Sequence, residues 1–232
     1  MAKRRDNNVV LAFGDTHLPY QHKHMLEFLG DVNSTYKPDR VIHMGDLLDI
    51  YSVSSYPTDP DHPDTWSQEI KKARKILPEL YKLFPNVDIL ECNHDDRAYK
   101  KSRIAGIPRE YLIPFKKLVG APEEWKWHMD LRITVDSTRE QLYFAHTKTG
   151  GALVTAKDLG CSAFLGHNHS KFGASAFSPT RNKMLWGVDC GCLVSDKGSP
   201  FKYNKGDRGR PINGCVIITE GVPLCIPLKG TV

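Results

Sequence analysis

Short apolar segments of this chain repeatedly end in polar residues that can bind a metal ion or carry a proton. Val9–Phe13 leads into Gly-Asp-Thr-His, Arg40–His43 into Met-Gly-Asp, and Val87–Glu91 into Cys-Asn-His-Asp. Leu142–Ala145 is followed by His, and Ser162–Leu165 by Gly-His-Asn-His. Each segment has the length and the residue types of a strand. Polar residues at the carboxyl ends of strands are typical of open α/β sheets, which bind ligands there.

Two helical patterns separate the first three predicted strands. Apolar residues recur at helical spacing over His22–Tyr36 and over Trp66–Phe84, where Pro78 is expected to introduce a kink. Strand-helix-strand alternation favours right-handed crossovers and parallel strand pairing.

The second half of the chain reads mainly as strands with little helix between them. These predicted strands are Leu131–Val135, Leu142–Ala145, Phe172–Phe177, Met184–Val188, Cys215–Thr219 and Leu224–Leu228. Tyr51–Asp64 is rich in Pro, Asp and Ser and is predicted to be a loop. The sequence therefore predicts a mixed α/β (α+β) fold in a single domain over residues 1–232.

Composition excludes several classes of protein. The 232 residues are 40% hydrophobic and 25% charged, which is globular composition, and 32 Lys and Arg against 27 Asp and Glu give a net charge of +5. This mild basicity permits a polyanionic partner. Apolar stretches are too short for a signal peptide or a membrane span, so we expect a cytoplasmic protein without a membrane partner. The six Cys include no C-x-x-C pair and are expected to be reduced.

The polar residues at the strand ends form a mixed oxygen and nitrogen ligand set. Such a set suits Mn²⁺, Fe²⁺ or Zn²⁺ better than Mg²⁺ or Ca²⁺, which favour oxygen ligands alone. It has too many members for one ion and about enough for two. The set comprises Asp15, His17, Asp46, Asp49, Asn93, His94, His146, His167 and His169.

The order and spacing of these residues resemble the calcineurin-like metallophosphoesterase family. Five family blocks occur in family order between residues 14 and 169. They are D-x-H, G-D-x-x-D, G-N-H-[DE], a single His and G-H-x-H. The Gly-Asp-Thr-His-Leu-Pro-Tyr stretch looks most like short members from phages and bacteria. The resemblance implies a four-layer αββα sandwich of two mixed sheets, with the active site at the carboxyl ends of the strands. It also implies host cytoplasm as the location if the gene belongs to a phage.

The resemblance also implies a role for each residue of the set. Asp15, His17 and His169 would hold one divalent ion, Asn93, His146 and His167 the other, and Asp46 would bridge both. Mn²⁺ is the expected metal, with Fe²⁺, Zn²⁺ or Ni²⁺ as alternatives. A hydroxide between the ions would attack phosphorus. His94 would stabilise the phosphoryl group or protonate the leaving oxygen, and the Asp49 side chain would hydrogen-bond to His94 and fix its tautomer.

Two positions depart from the family pattern, and five histidines lie outside it. Cys92 stands where the family usually has Gly, and its side chain is expected to face away from the metals; Ala145 replaces Gly before His146. The remaining histidines are expected to have structural roles. They are His22, His24, His43, His62 and His128.

Basic residues indicate a phosphate-rich substrate. Between Arg97 and Lys117 the chain has seven Lys and Arg and the single acid Glu110, and a second basic run spans 197–210. Arg97 and Lys148 are candidate substrate-binding residues, although charge runs are more often solvated surfaces.

We expect a phosphodiesterase acting on DNA, RNA or nucleotides. About 60 residues follow His169, which leaves little room for a capping domain. A phosphomonoesterase, including a protein phosphatase, is the alternative, and a non-catalytic binding module ranks last because every ligand position is intact. The sequence does not specify an oligomeric state.

Overall fold

The computed structural model describes residues 7–54, 59, 61–195 and 210–229. Its helices are α1 (Met25–Tyr36), α2 (Trp66–Leu83), α3 (Arg97–Ile104), α4 (Phe115–Val119) and α5 (Gly151–Leu159). Its strands are β1 (Val9–Phe13), β2 (Arg40–His43), β3 (Val87–Leu90), β4 (Trp125–His128), β5 (Asp130–Thr134), β6 (Gln141–Ala145), β7 (Ser162–Leu165), β8 (Phe172–Thr180), β9 (Lys183–Cys190), β10 (Gly214–Thr219) and β11 (Val222–Pro227). Short 3-10 turns lie at Tyr51–Val53 and Arg109–Tyr111.

The strands form two mixed sheets. The first has the order β11-β10-β1-β2-β3-β4, in which β1 to β4 are parallel and β10 runs antiparallel to β1. The second has the order β5-β6-β7-β9-β8, in which β6, β7 and β9 are parallel. Parallel neighbours end at the same edge of a sheet, so the residues that follow them are brought together.

Alternating side chains along each strand divide the core into three apolar layers. In β1, Leu11 and Phe13 pack towards α1 and α2, whereas Val10 and Ala12 pack between the two sheets. In β6, Phe144 faces the same intersheet layer, and its neighbours contact α5 on the outer face of the second sheet. The resulting order is helix, sheet, sheet, helix, which confirms the predicted four-layer αββα class.

Helix α2 begins with a complete capping box. The Thr65 hydroxyl accepts a hydrogen bond from the Gln68 N–H, and the Gln68 side chain accepts one from the Thr65 N–H. Pro78 lies within this helix as the sequence indicated, and Ile70, Leu77 and Leu80 bury its apolar face.

Most predicted elements occur within a few residues of their expected bounds. Helix α1 begins at Met25 rather than His22, and β8 continues to Thr180 rather than Phe177. The second half was expected to contain little helix, but α5 lies between β6 and β7 and covers the second sheet. Strand β4 was also not predicted.

All six cysteines are free thiols, and no helix in the described ranges is long and apolar enough to cross a membrane.

Truncating a ring between the sheets should strongly destabilise the fold. Phe144 and Phe164 are fully buried and stack with centroids 4.8 Å apart. We expect Phe164→Ala to lower the free energy of unfolding by about 3–5 kcal/mol, because it removes apolar burial and leaves a cavity. Urea denaturation measures this change. The exposed Val222→Ala substitution on β11 should change stability by no more than about 0.5 kcal/mol, and a similar loss in both variants would contradict the packing described.

Candidate metal centre

Backbone hydrogen bonds hold together the loops that follow β1 and β2. The Asp15 N–H donates to the Gly45 carbonyl and the His17 N–H to the Asp46 carbonyl, each at 2.9 Å. The buried Thr16 hydroxyl donates to the Leu47 carbonyl at 3.1 Å. Because β1 and β2 are adjacent and parallel, their two polar loops form one layer at the carboxyl edge of the first sheet.

Several predicted ligand residues have a left-handed backbone. The φ angles are 49° at Asp15, 47° at His17, 50° at Asp46 and 68° at His167. A positive φ is uncommon for residues other than glycine, and such strain concentrates at functional sites. Its occurrence at four of the seven predicted ligands indicates that the fold places these side chains at a conformational cost.

The first group of converging ligand atoms belongs to Asp15, His17, Asp46 and His169, which each contribute an atom within 4.8 Å of the others. The Nε2 atoms of His17 and His169 are 3.0 Å apart. Nε2 of His169 lies 3.2 Å from Oδ1 of Asp15, and Nε2 of His17 lies 3.4 Å from Oδ2 of Asp46. These are the residues that the resemblance assigns to one ion together with the bridging carboxylate.

The second group contains Asp46, His146 and His167 and meets the same 4.8 Å limit. Nε2 of His146 lies 3.3 Å from Oδ2 of Asp46 and 3.1 Å from Oδ1 of Asn93. Asn93 and His167 are exposed, so this side of the centre faces solvent. The structure thus brings all seven predicted ligands together, in two groups that share Asp46.

Asp46 is the most informative residue of the centre. It is 1% exposed, yet its Oδ1 has no hydrogen-bond partner. Burial would raise the pKa of this carboxyl, but the positive charges of His94 and His146 hold it well below its usual range. A buried, ionised oxygen without a donor is costly unless a cation is bound there. The donor set therefore fits metal ions.

Three histidines are oriented by hydrogen bonds at Nδ1, all in the same way. Nδ1 of His17 donates to Oδ2 of Asp49 at 3.0 Å, Nδ1 of His146 to the Met44 carbonyl at 2.9 Å, and Nδ1 of His94 to the Asp49 carbonyl at 2.7 Å. Because a proton is fixed on Nδ1, Nε2 is the nitrogen that His17 and His146 turn towards Asp46 and can offer to a metal, whereas Nε2 of His94 lies beside Arg97. This second layer of hydrogen bonds is typical of metal-binding histidines.

The expected pairing of the Asp49 side chain with His94 is wrong. The carboxylate bonds to His17, and Oδ1 lies 3.9 Å from Nδ1 of His94, which donates instead to the backbone carbonyl of Asp49. The carboxylate is taken up by Nδ1 of His17, which leaves the carbonyl as the acceptor for His94; the next residue, Ile50, has a left-handed backbone with φ 54°. Asp49 thus orients two histidines with two different groups.

Arg97 lies at the expected place but is engaged by protein atoms. Its Nη1 donates to the Asp49 carbonyl at 2.8 Å and to Oδ1 of Asp49 at 3.1 Å, and its Nη2 lies 2.8 Å from Nε2 of His94. Lys148 is exposed and lines a cavity of about 280 Å³ with Asn93 and His146. The second basic run lies outside the described residues except for Arg210.

Burial decides the charge of His94 and Asp95. Burial lowers the pKa of His94 to about 4, so its imidazole is neutral near pH 7. Burial and the negative charge of Asp46 raise the pKa of Asp95 to about 8. Asp95 follows His94 in the quoted motif, but no role was assigned to it, because a sequence does not reveal that a carboxyl is completely enclosed.

Cys92 lies closer to the centre than expected. Burial raises the pKa of its thiol well above the usual range, and the charges of Asp46 and Asp95 add to this shift. Its backbone φ is not positive, so a Gly is not required there for backbone geometry. The close approach falls instead at Gly45, where a Cβ would lie 2.8 Å from Nδ1 of His146 and φ is 100°.

Histidines outside the set have structural contacts. His43 is fully buried behind the centre, and burial lowers its pKa to about 3; it accepts a hydrogen bond from the Gly45 N–H at 3.2 Å. His62 contacts Tyr20 and Glu69, and His128 contacts Asp88. These contacts agree with the expectation that these three are not ligands.

No known protein-family profile matches the chain. It is 25% identical to the Gene 54 protein of Mycobacterium phage D29, over 93% of each chain, and 25% identical to the Gene 54 protein of Mycobacterium phage L5, over 95% of this chain and 94% of that one. Among solved structures, Vacuolar Protein Sorting 29 from Cryptosporidium parvum aligns with a TM-score of 0.46 and 14% identity over 91% of this chain and 86% of its own. Vps29 from Chaetomium thermophilum aligns with a TM-score of 0.46 and 12% identity over 93% of this chain and 83% of its own.

Metal affinity should rise with pH. Burial opposes protonation of His146, but the adjacent Asp46 carboxylate raises the pKa of this imidazole to about 9, so a metal must displace its proton below that pH. We expect Mn²⁺ affinity to increase between pH 6.5 and 9 by up to about tenfold per unit for each proton released. Calorimetry in buffers of different ionisation enthalpy measures the released protons. A constant affinity over this interval would contradict the assignment.

Proposed function

We propose that the chain is a metal-dependent phosphoesterase that holds two divalent ions, with Mn²⁺ as the expected metal, and hydrolyses phosphodiesters of nucleic acids or nucleotides. The observation that carries the proposal is Asp46, whose buried carboxylate is shared by two groups of ligand atoms and keeps one oxygen without a donor. Asp15, His17 and His169 would hold one ion, and Asn93, His146 and His167 the other. A carboxylate can bridge ions about 3.5–4 Å apart.

Metal ions bound there would polarise a phosphoryl oxygen and lower the pKa of a water molecule. The chain's own contribution is to orient the ligands in advance. Nδ1 of His17 and Nδ1 of His146 are each fixed by an acceptor, so both imidazoles present Nε2 without further rearrangement. The left-handed backbone at Asp15 and Asp46 aims both carboxylates at the same point.

His94 would act on the phosphoryl group. Its Nε2 lies 3.8 Å from Oδ2 of Asp46, at the border of the ligand groups. In this state the imidazole is neutral and Nε2 accepts from Arg97. An anionic substrate beside it would oppose the effect of burial and favour the protonated form, which can donate to the leaving oxygen. Nη2 of Arg97 would then release Nε2 of His94 and donate its hydrogen bond to a phosphate oxygen instead.

The open side of the centre supports a diester substrate. Asn93 and His167 are exposed, and the cavity beside them is bordered by Lys148. An open site accommodates a diester, whose phosphate carries a substituent on each of two sides. A monoester carries one substituent, and a closed pocket is sufficient for it. The alignments with two phage proteins support host cytoplasm as the place of action.

Removal of the shared carboxylate should abolish activity together with metal binding. We expect Asp46→Asn to lose bound metal and at least about 10²-fold in turnover of bis-p-nitrophenyl phosphate with Mn²⁺, because both ions lose a charged ligand. His94→Asn should lower turnover by about 10²-fold while the metal content stays unchanged. Elemental analysis and diester kinetics measure both effects.

His24→Asn is the matched control, because His24 precedes α1 and its exposed side chain pairs with Glu27 at 3.0 Å. It should keep both metal and activity. Loss of an ion from His94→Asn would contradict its role outside the ligand set. A turnover of p-nitrophenyl phosphate far above that of the diester would favour the phosphomonoesterase alternative.

Asp49→Asn distinguishes the observed hydrogen bonds from the expected ones. An amide at this position no longer accepts strongly from Nδ1 of His17, whereas the backbone carbonyl still holds His94. We therefore expect metal affinity to fall by about 10- to 100-fold. A fall in turnover at saturating metal with no change in metal affinity would indicate that the side chain serves His94 instead. Metal titration followed by diester kinetics separates the two results.

A further inference from the structure

A second cavity adjoins the candidate metal centre on the side of β4. It has a volume of about 480 Å³ and is walled by Tyr99, Leu112, Phe115 and Trp127 together with Arg109, Lys126 and other residues. Glu91 lines both this cavity and the cavity of about 280 Å³ that contains Asn93 and His146. The two cavities therefore lie side by side at the carboxyl end of β3, with Glu91 as a shared lining residue. A ligand at the metal centre that extends past Glu91 would reach the larger cavity.

Aromatic rings form the walls of the larger cavity. Phe115 and Trp127 meet edge to face with centroids 6.3 Å apart, and the guanidinium of Arg109 lies 4.3 Å above the ring of Tyr99. All three aromatic residues are half-buried rather than enclosed. Their remaining accessible surface is of the kind on which a planar ring stacks.

The charge around the cavity favours a phosphate-bearing ligand. Arg109 and Lys126 border it, and the segment 97–117 that forms one wall has seven basic residues and one acid. Lys116 is partly neutralised by Glu123 at 3.1 Å. An apolar peptide segment would use the rings but gain nothing from the cations, whereas a nucleotide uses both.

We propose that this cavity binds the nucleobase of the nucleotide next to the reacting phosphate. The proposal rests on the proposed function, because the metal centre determines where that phosphate lies. The exposed Glu91 carboxylate between the cavities opposes a second phosphate at that point and can accept a hydrogen bond from an exocyclic amino group of a base. Arg109, which also lines the cavity, would contact a neighbouring phosphate.

Binding to the metal-free protein tests the proposal without any catalytic step. The probes are a fluorescently labelled single-stranded DNA hexamer and an abasic hexamer of equal charge, titrated by anisotropy in chelator at one fixed low salt concentration. We expect the wild-type chain to bind the base-bearing hexamer about tenfold more tightly, because stacking of a base on an aromatic side chain adds to the affinity. Trp127→Leu and Tyr99→Leu should each remove most of this difference.

Phe177→Leu is the matched control, because this aromatic residue packs on the outer layer beside α5, away from the cavity. It should keep the tenfold difference, and thermal unfolding verifies that each variant is folded. Equal affinity of the wild type for the two hexamers would overturn the proposal. It would also be overturned if Trp127→Leu and Tyr99→Leu lowered the affinity for both hexamers by the same factor.

Competition by a nucleoside monophosphate shows whether the base in the cavity belongs to a free nucleotide or to a nucleic-acid strand. Full competition indicates a small nucleotide as the ligand, and weak competition indicates a strand; either supports a base-binding cavity. If the chain discriminates between the hexamers but hydrolyses no phosphoester, the proposed function fails and the cavity assignment stands. If it hydrolyses the aryl diester but binds both hexamers equally, only the cavity assignment fails.

Discussion

The buried carboxylate of Asp46 is the constraint on which the rest of the structure depends. A buried negative charge is costly, and it is tolerated here because Oδ2 lies 3.3–3.8 Å from Nε2 of His17, His94 and His146, of which His17 and His146 have raised pKa values and can carry positive charge. These imidazoles come from the ends of β1, β3 and β6, so both sheets must end at the same point. Burial opposes the charged form of both His146 and Asp46, but their mutual attraction outweighs it, raising the pKa of His146 and lowering that of Asp46, so the site is polarised before any ligand binds.

Hydrogen bonds between the sheets keep this point in register. Nδ1 of His146, which follows the second sheet, donates to the Met44 carbonyl after the first, and the His167 N–H donates to the Asp15 carboxylate at 2.9 Å. Behind them the intersheet core is packed by aromatic and aliphatic side chains, including the Phe144 and Phe164 pair. The rigid packing of the core is therefore what allows strained backbone at Asp15, His17 and Asp46 to persist.

The same edge also explains why a base-binding cavity would lie beside the metal centre. Strand β3 ends at the centre, and its parallel neighbour β4 contributes Trp127 and Lys126 one strand further along the sheet. The basic segment between these strands folds into α3, the Arg109–Tyr111 turn and α4 and forms the opposite wall. Arg97 belongs to the first turn of α3 and contacts Asp49 and His94, so one segment reaches both the candidate metal centre and the cavity that we assign to a base.

Local sequence determined the strands of the interior and the residues that follow them. Val9–Phe13, Arg40–His43 and Ser162–Leu165 have the predicted bounds, because short apolar segments followed by Gly and polar residues have few alternatives to a strand. Local sequence did not determine β4 or the extension of β8 to Thr180, since pairing depends on distant partners, nor α5, whose N-cap and first residue are both glycine. In the site, residue types and order were sufficient to name the residues that the fold brings together. Only the tertiary structure decided that Asp49 holds His17 with its carboxylate and His94 with its carbonyl, because that choice depends on how residues distant in the sequence are placed around Asp49.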